Sequence, residues 1–155
     1  MFTIDFKYDG RLEGLDEEIK AAVAVKLNQL TDVLYSKVIE NLSGKVLQKR
    51  TGALLDSIRR EVDVGDNPMI GTVFPEPADA KAWALELGGE REYAILPTKA
   101  SVLAFFWEKE GRQVFLPSVN HPPSRAFRYL GIALDEMEAL VPEGFREALD
   151  EVLSR

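Results

Sequence analysis

The sequence predicts an α+β fold: an antiparallel sheet of about four to five strands, with a long N-terminal helix and a C-terminal helix packed on it. Apolar residues recur at spacings of three and four near both ends of the chain, which is typical of amphipathic helices. The middle of the chain instead has short alternating segments separated by Gly, Pro and Asp clusters. These segments predict strands joined by hairpins.

Length and composition favour one domain over residues 1–155. The chain is 46% hydrophobic and 29% charged, with a formal net charge of −7, and a chain of this size folds without cross-links. It has no cysteine, which excludes disulfide and thiolate chemistry. It has no apolar run of membrane-spanning length, and its first residues do not resemble a signal peptide. The acidic balance argues against broad nucleic-acid binding, which needs many basic contacts to phosphate.

The N-terminal part predicts a strand followed by a long helix. Residues 2–8 alternate apolar and polar side chains, and Asp9-Gly10 then breaks the strand. Gly44 is expected to end the helix in a left-handed cap. The helix is predicted over about residues 15–42, from an apolar stripe through Leu15, Ile19, Val23, Leu27, Leu30, Leu34, Val38 and Leu42.

Residues 45–60, which we call the basic elbow, reverse the sign of the charge. Thr51 is predicted to cap a short helix that turns Leu54, Leu55 and Ile58 inward. Against the single acid Asp56, the segment holds five basic residues: Lys45, Lys49, Arg50, Arg59 and Arg60.

The basic elbow must face a partner protein, nucleic acid or the chain's own acidic surface. In one interpretation its cations are a solvated face that stabilises the end of the long helix. In the other they form a subunit interface, for instance against the acidic C-terminal segment of an identical chain. The charge pattern does not choose between these two interpretations.

Residues 60–116 predict the sheet. Strand-like segments lie at residues 60–64, 69–74, 93–96, 102–107 and 113–116. Residues 65–68 join the first two as a hairpin, and a short helix over residues 80–87 is ended by Gly88-Gly89. Strand alternation puts Phe105 and Trp107 on one face and Phe106 on the other. Both faces are therefore expected to be covered, by the core unless exposed area indicates an interface.

The C-terminal part predicts an extended segment and then helix. Residues 119–123 are extended because each residue before a proline avoids the helical region. Residues 124–153 predict a kinked helix or two helices, because Pro142 interrupts the pattern. Ser124 is expected to cap this region, with Phe127, Leu130, Leu134 and Met137 on one face.

No catalytic, metal or cofactor site is predicted, and we do not expect an enzyme. His121 is the only histidine, and a catalytic base needs a nucleophile and an orienting acid fixed beside it. We interpret it as a loop residue. Asp63, Asp66 and Asp79 are interpreted as solvated turn residues rather than a metal cluster, and no phosphate-binding or calcium-binding motif is present.

Residues 42–58 resemble the head–tail joining, or tail-completion, proteins of long-tailed bacteriophages. The family's basic Arg-Thr-Gly-x-Leu-x-x-Ser-Ile segment follows a long helix, as here. Three later segments are similar in order: Trp83 to Gly88 for an aromatic-Ala…Glu-aromatic-Gly motif, Ile95-Leu96-Pro97 for Ile-x-Pro, and a His-Pro-x…Arg-x-Phe motif. The matching residues are Arg50, Thr51, Gly52, Leu54, Ser57 and Ile58 in the elbow, and His121, Pro122, Arg125 and Phe127 before the last helix.

The resemblance implies a non-enzymatic structural protein of the virion, assembled in the host cytoplasm. Such proteins sit at the neck, often as a homo-oligomeric ring, and contact the head–tail connector, the tail terminator or the tail tube. The isolated chain is then expected to be a weak monomer that assembles on its partners. Two alternatives stay open: a nucleic-acid-binding module that uses residues 45–60, and a small hydrolase built around His121.

Overall fold

A computed structural model describes residues 2–6, 16–47, 52–65, 68–76, 80–89 and 91–154. Helices and antiparallel strands are both present, so the predicted α+β class is confirmed. Several predicted features lie outside the described residues: the end of the first strand, Leu15, the tip of the first hairpin turn, and Asp79.

The main sheet has three antiparallel strands in the order β1-β3-β2. They are β1 (Phe2–Phe6), β2 (Ile58–Asp63) and β3 (Met69–Pro75). The predicted hairpin of β2 and β3 is confirmed, with Asp63 opposite Ile70 and Ile58 opposite Pro75. β1 pairs with the other edge of β3, Phe6 opposite Met69. This central position of β3 accounts for its almost continuous burial.

Helix α1 (Asp16–Glu40) packs across this sheet, chiefly on β2 and β3. A π-helical turn, Asn41–Lys45, follows it, and Gly44 has a positive φ of 131° as the sequence predicted for the helix end. The Asn41 carbonyl accepts hydrogen bonds from the amides of Val46 and Leu47. The predicted apolar stripe is confirmed as core, through Ile19, Val23, Leu27, Leu30, Leu34, Val38 and Leu42.

Two C-terminal helices, α4 (Tyr129–Asp135) and α5 (Leu140–Leu153), complete the body and pack on α1. Two separate helices agree with the prediction for residues 124–153. Pro142 lies in the first turn of α5, where its missing N–H has no intrahelical partner to lose. The predicted start at Ser124 is wrong. The backbone of Arg128 is left-handed, with φ of 52°, so the helix begins only at Tyr129 and Phe127 precedes it.

The remaining strands form two separate ribbons. β4 (Tyr93–Ile95) pairs with β7 (Val119–His121), and β5 (Leu103–Trp107) pairs with β6 (Arg112–Leu116). Short helix α3 (Ala80–Leu87) and the Gly88-Gly89 break precede them. The strands are thus divided among three sheets rather than joined in one of about four to five. Pro117 lies between β6 and β7, where a proline cannot donate to a strand ladder.

None of the described helices is both long and apolar enough to cross a bilayer.

α1 approaches the sheet most closely at Gly71 of β3. A Cβ on Gly71 would clash with the buried Thr31 hydroxyl and lie 3.2 Å from Leu27 Cδ1. The Thr31 hydroxyl cannot turn away freely, because it donates to the Leu27 carbonyl at 2.7 Å. Glycine at position 71 therefore sets the distance between helix and sheet.

We expect Gly71→Ala to lower the free energy of unfolding by about 1–3 kcal/mol, the usual cost of overpacking a core. Urea denaturation would measure it. Gly65→Ala is the matched control, because its new Cβ would meet only the exposed Asp63 side chain, at 3.3 Å. In the Thr31→Ala background the cost of Gly71→Ala should shrink. Equal costs in both backgrounds would contradict this account.

Candidate functional site

The described part of the basic elbow is occupied by the chain's own acids. Lys45, Arg59 and Arg60 each form an ion pair within the chain. Lys49, Arg50 and Thr51 lie outside the described residues. The third partner proposed from the sequence, the chain's own acidic surface, is therefore observed for these three cations.

Lys45 shares the carboxylate of Glu136 with Lys37. Both ammonium groups lie 2.8 Å from a Glu136 oxygen, and Glu40 lies 3.7 Å from Lys45. The hydrogen bonds from Lys37 and Lys45 lower the pKa of Glu136 to about 2, and the bond to Glu136 raises the pKa of Lys45. The three side chains join the end of α1 to the turn between α4 and α5.

Arg60 and Arg59 are held on opposite sides of the hairpin. Arg60 contacts α1, donating to Asn28 Oδ1 at 2.9 Å and pairing with Asp32 at 2.9 Å. Arg59 donates to the Asp56 carbonyl at 2.8 Å and lies 3.5 Å from Glu76. Both guanidinium groups remain partly exposed, but each would have to exchange a carboxylate to bind an external anion.

Within the elbow, the chain turns at Gly52 into the short helix α2 (Ala53–Ser57). Gly52 precedes the helix with a left-handed φ of 80°, which favours glycine. The Ser57 hydroxyl donates to the Leu54 carbonyl at 2.7 Å. Ile58 is buried in the hydrophobic core, and Leu54 packs against that core, as predicted. The observed residue at the cap position is Gly52, one residue after the predicted Thr51.

The four residues before the last helices occupy a ribbon end and a loop. His121 ends β7 opposite Tyr93, and their rings stack with centroids 5.0 Å apart. Its Nδ1 lies 2.6 Å from the carbonyl oxygen of Pro122. The Arg125 guanidinium lies 4.9 Å from the centre of the Phe127 ring, in a cation–π contact. Among the described residues, no carboxylate or hydroxyl is hydrogen-bonded to His121.

A buried glutamate joins this loop to α3; it is the Glu of the Trp83 to Gly88 motif, but the sequence did not predict it as a site residue. Glu86 is 2% exposed. Its carboxylate accepts the amide hydrogens of Leu130 at 2.7 Å and Gly131 at 2.9 Å. These are the second and third residues of α4, whose amides have no partner within the helix. Glu86 therefore caps α4 from another helix, where its charge also suits the helix dipole.

Backbone contacts extend this capping into a clamp, which we define as residues 85–89 with 124–131. The amides of Phe127 and Arg128 donate to the carbonyls of Leu85 and Glu86, at 2.9 and 3.1 Å, and the amide of Gly89 donates to Ser124 at 2.8 Å. Gly88 has φ of 80°, and a Cβ there would lie 2.7 Å from the Ser124 carbonyl. Two of the segments that carry the family resemblance thus contact each other.

The clamp closes the base of an arm, defined as residues 91–127. Ribbon β5–β6 is the outer part of this arm; its strands pack mainly on each other. Strand pairing puts Phe105 and Trp107 on one face and Phe106 and Phe115 on the other. All four are exposed, Phe106 by 63% and Phe115 by 60%. Both faces of ribbon β5–β6 therefore expose apolar area, which indicates an interface rather than a core.

No group of three or more His, Cys, Asp or Glu side chains that could hold a metal ion occurs among the described residues. Glu86 caps a helix, Glu136 bridges two lysines, and His121 stacks on a tyrosine. The arrangement offers surfaces for binding.

The chain was compared with protein-family models, with curated proteins and with solved structures, and no match was found in any of the three comparisons.

We expect Glu86→Ala to lower the free energy of unfolding by about 2–4 kcal/mol, because it leaves two buried amides without an acceptor. Glu86→Gln keeps one acceptor oxygen and should cost roughly half as much. Chemical denaturation would measure both, with the exposed Glu138→Ala as control. Equal stability of Glu86→Ala and the control would contradict the capping role.

The Glu136 bridge predicts a stability loss in acid. Its pKa is about 2 when folded and near 4.5 ordinarily, so its contribution is complete above about pH 4.5 and lost as the pH falls through about 2. The urea midpoints of the wild type and Glu136→Gln should therefore differ most at neutral pH and converge between about pH 4.5 and 2. A constant difference across that window would show that the carboxylate charge is not responsible.

Proposed function

We propose that this chain is a structural virion protein of the head–tail junction of a long-tailed phage or prophage. It would complete the tail or connect it to the capsid by docking on neighbouring subunits. The observation that carries the proposal is the arm, whose outer ribbon exposes aromatic side chains on both faces. Apolar exposure of this kind marks interaction surfaces in soluble proteins.

The motifs behind the family resemblance support the proposal in a second way. The Trp83 to Gly88 segment and the segment from His121 to Phe127 meet in the clamp, and the Ile95-Leu96-Pro97 segment begins at the last residue of β4 in the arm. Motifs that are far apart in sequence thus lie in the arm or in the clamp at its base. The clamp holds the base of the arm, and the arm exposes the surface on which a neighbouring subunit would dock.

The contacts of the basic elbow favour the arm as the docking surface. Lys45, Arg59 and Arg60 are engaged by carboxylates of the chain itself. A docking acid or a nucleic-acid phosphate would have to displace those carboxylates, and exchange of one ion pair for another yields little free energy at an exposed site. The same contacts weaken the alternative of a nucleic-acid-binding module that uses residues 45–60.

The proposal predicts that phage lacking this chain make filled heads and tails that remain unattached to each other. The gene would be interrupted in the phage that encodes it, and lysates examined by electron microscopy and infectious titre. Complementation with the wild-type chain should restore joined particles, whereas Phe106→Ala/Phe115→Ala should not. Normal titres without the chain would overturn the proposal.

Two further variants separate the surfaces and the alternative function. If the basic elbow docks instead of the arm, Lys49→Glu/Arg50→Glu/Arg59→Glu should fail to complement while the arm variant succeeds. If the chain is a nucleic-acid-binding module, the purified protein should bind duplex or single-stranded DNA at low salt, with an affinity that falls steeply as salt is added.

A further inference from the structure

The two edges of the main sheet differ in composition. Among the described residues, β1 and β2 are each paired on one side only, both with β3. Four of the six side chains of β2 are charged, and charged side chains on an edge strand discourage pairing with another chain. β1 has a single charged residue, Asp5, among its five. β1 is therefore the edge that is less protected against the addition of a strand.

A groove of about 500 Å³ lies between β1 and the turn from α4 to α5. Thr3 and Ile4 both line it, although neighbouring residues of a strand point to opposite faces of the sheet. A groove that touches both residues must reach the backbone edge of β1, and the other edge is occupied by β3. We call it the edge groove; its remaining lining residues are Leu134, Asp135, Met137, Glu138, Val141 and Pro142.

The side of β1 that faces away from β3 offers backbone hydrogen-bonding groups. In an antiparallel pair, alternate residues of an edge strand direct their N–H and C=O groups away from the partner strand. No described strand pairs with that side of β1. An extended peptide can therefore add there as a further strand, with main-chain hydrogen bonds for affinity and side-chain pockets for specificity.

The helical wall of the edge groove is apolar. Met137 is buried, and Leu134 and Val141 are half-buried, so parts of the last two side chains face the groove. Pro142 extends the same wall and is exposed. A side chain of an added strand that points towards the helices would meet these groups, so an apolar side chain fits this position.

The rim of the edge groove is acidic. Residues 134–143 contain four acids and no base, a net charge of −4. Asp135 pairs with Arg128 at 3.0 Å, whereas Glu138 is exposed and forms no ion pair with any described residue. The Glu138 carboxylate can therefore receive a cation from a ligand. Such an exposed pair selects the partner and its register more than it adds affinity.

We propose that the free edge of β1 accepts an extended segment of another protein as an added strand. The segment places an apolar side chain against Leu134 and Val141, and a lysine or arginine beside Glu138. A second copy of β1 does not fit this description, because Phe2–Phe6 contains no basic residue and both copies carry the same acidic rim. The inference goes beyond the proposed function, since it concerns a surface other than the arm and does not depend on the neck role.

Peptide selection followed by backbone methylation tests the added strand. Purified full-length chain would select binders from an mRNA-displayed library of random nine-residue peptides. We expect binders that alternate apolar and polar residues and contain lysine or arginine. Each binder would then be synthesised with every second amide N-methylated, in both possible registers. One register should lose binding at least tenfold and the other should keep it, because only alternate amides of an added strand face β1. No enrichment, or equal effects of the two registers, would overturn the proposal.

Variants of the edge groove locate the binding. Glu138→Lys should weaken binding of the selected peptides about threefold or more at low salt, and peptides with glutamate in place of the basic residue should bind this variant better than the wild type. The matched control is Glu143→Lys, which makes the same charge change at an exposed residue of α5 that does not line the groove. Equal binding by the two variants would place the peptide elsewhere and contradict the proposal.

A second pair of variants tests the apolar wall. Val141→Thr keeps the shape of the side chain but makes it polar, and should weaken peptide binding about fourfold. Val25→Thr makes the same change on the exposed side of α1 and should leave binding unchanged. Thermal midpoints would show that both variants fold. Equal peptide affinities of these two variants would exclude the edge groove as the binding site.

A second copy of the chain is the competing occupant of the β1 edge. Sedimentation velocity with and without a selected peptide separates the two cases. We expect the peptide to leave the oligomeric state of the chain unchanged. If the peptide instead dissociates an oligomer, the edge belongs to a second copy and the proposal is wrong.

Discussion

The capping of α4 by the buried carboxylate of Glu86 is the interaction on which the arrangement of this protein depends. Helix α4 begins abruptly after the left-handed Arg128, and the side chain of Arg128 makes no capping hydrogen bond. Two buried amides therefore depend on an acceptor from α3. The same contact brings residue 86 beside residues 130 and 131, and so closes the base of the arm. One carboxylate thus both completes a helix and positions a projecting surface.

The body and the arm are stabilised in different ways. The body has a continuous core, in which α1 contributes its whole apolar stripe and β3 is buried between two strands and the helix. The arm consists of two-stranded ribbons, which are marginal in water without further packing. Its large aromatic side chains lie on both faces of β5–β6 and are not covered by the body. This division of burial is the basis of the docking role that we propose for the arm.

The charges follow the same division. In the body, opposite charges meet within the chain: Glu136 bridges Lys37 and Lys45, and Arg60 pairs with Asp32 of α1. These contacts neutralise the described part of the basic elbow, the most conspicuous charge feature of the sequence. The arm, with five basic and three acidic residues, has a net charge of +2 and the rest of the chain −9 of the total of −7, and at the tip of the arm Arg112 is likewise paired with an acid of the chain itself, Glu110.

The sequence by itself determined the class of fold and most of its elements. The stripe of α1, the β2–β3 hairpin, the extent of α3 and the division of residues 124–153 into two helices all follow from local patterns, because apolar periodicity and the backbone preferences of Gly and Pro act over a few residues. The start of α4 was missed, since Arg128 adopts a left-handed conformation while its amide donates to the Glu86 carbonyl, a partner distant in the chain. The division of the strands into three sheets likewise depends on partners distant in the chain. The tertiary structure alone decided the candidate site: whether Phe105 and Phe106 are core or surface, whether Lys45 and Arg60 are free or paired, and that Glu86 is buried as a cap. Each of these depends on which residues from other segments lie within a few ångströms, and local sequence carries no record of those distances.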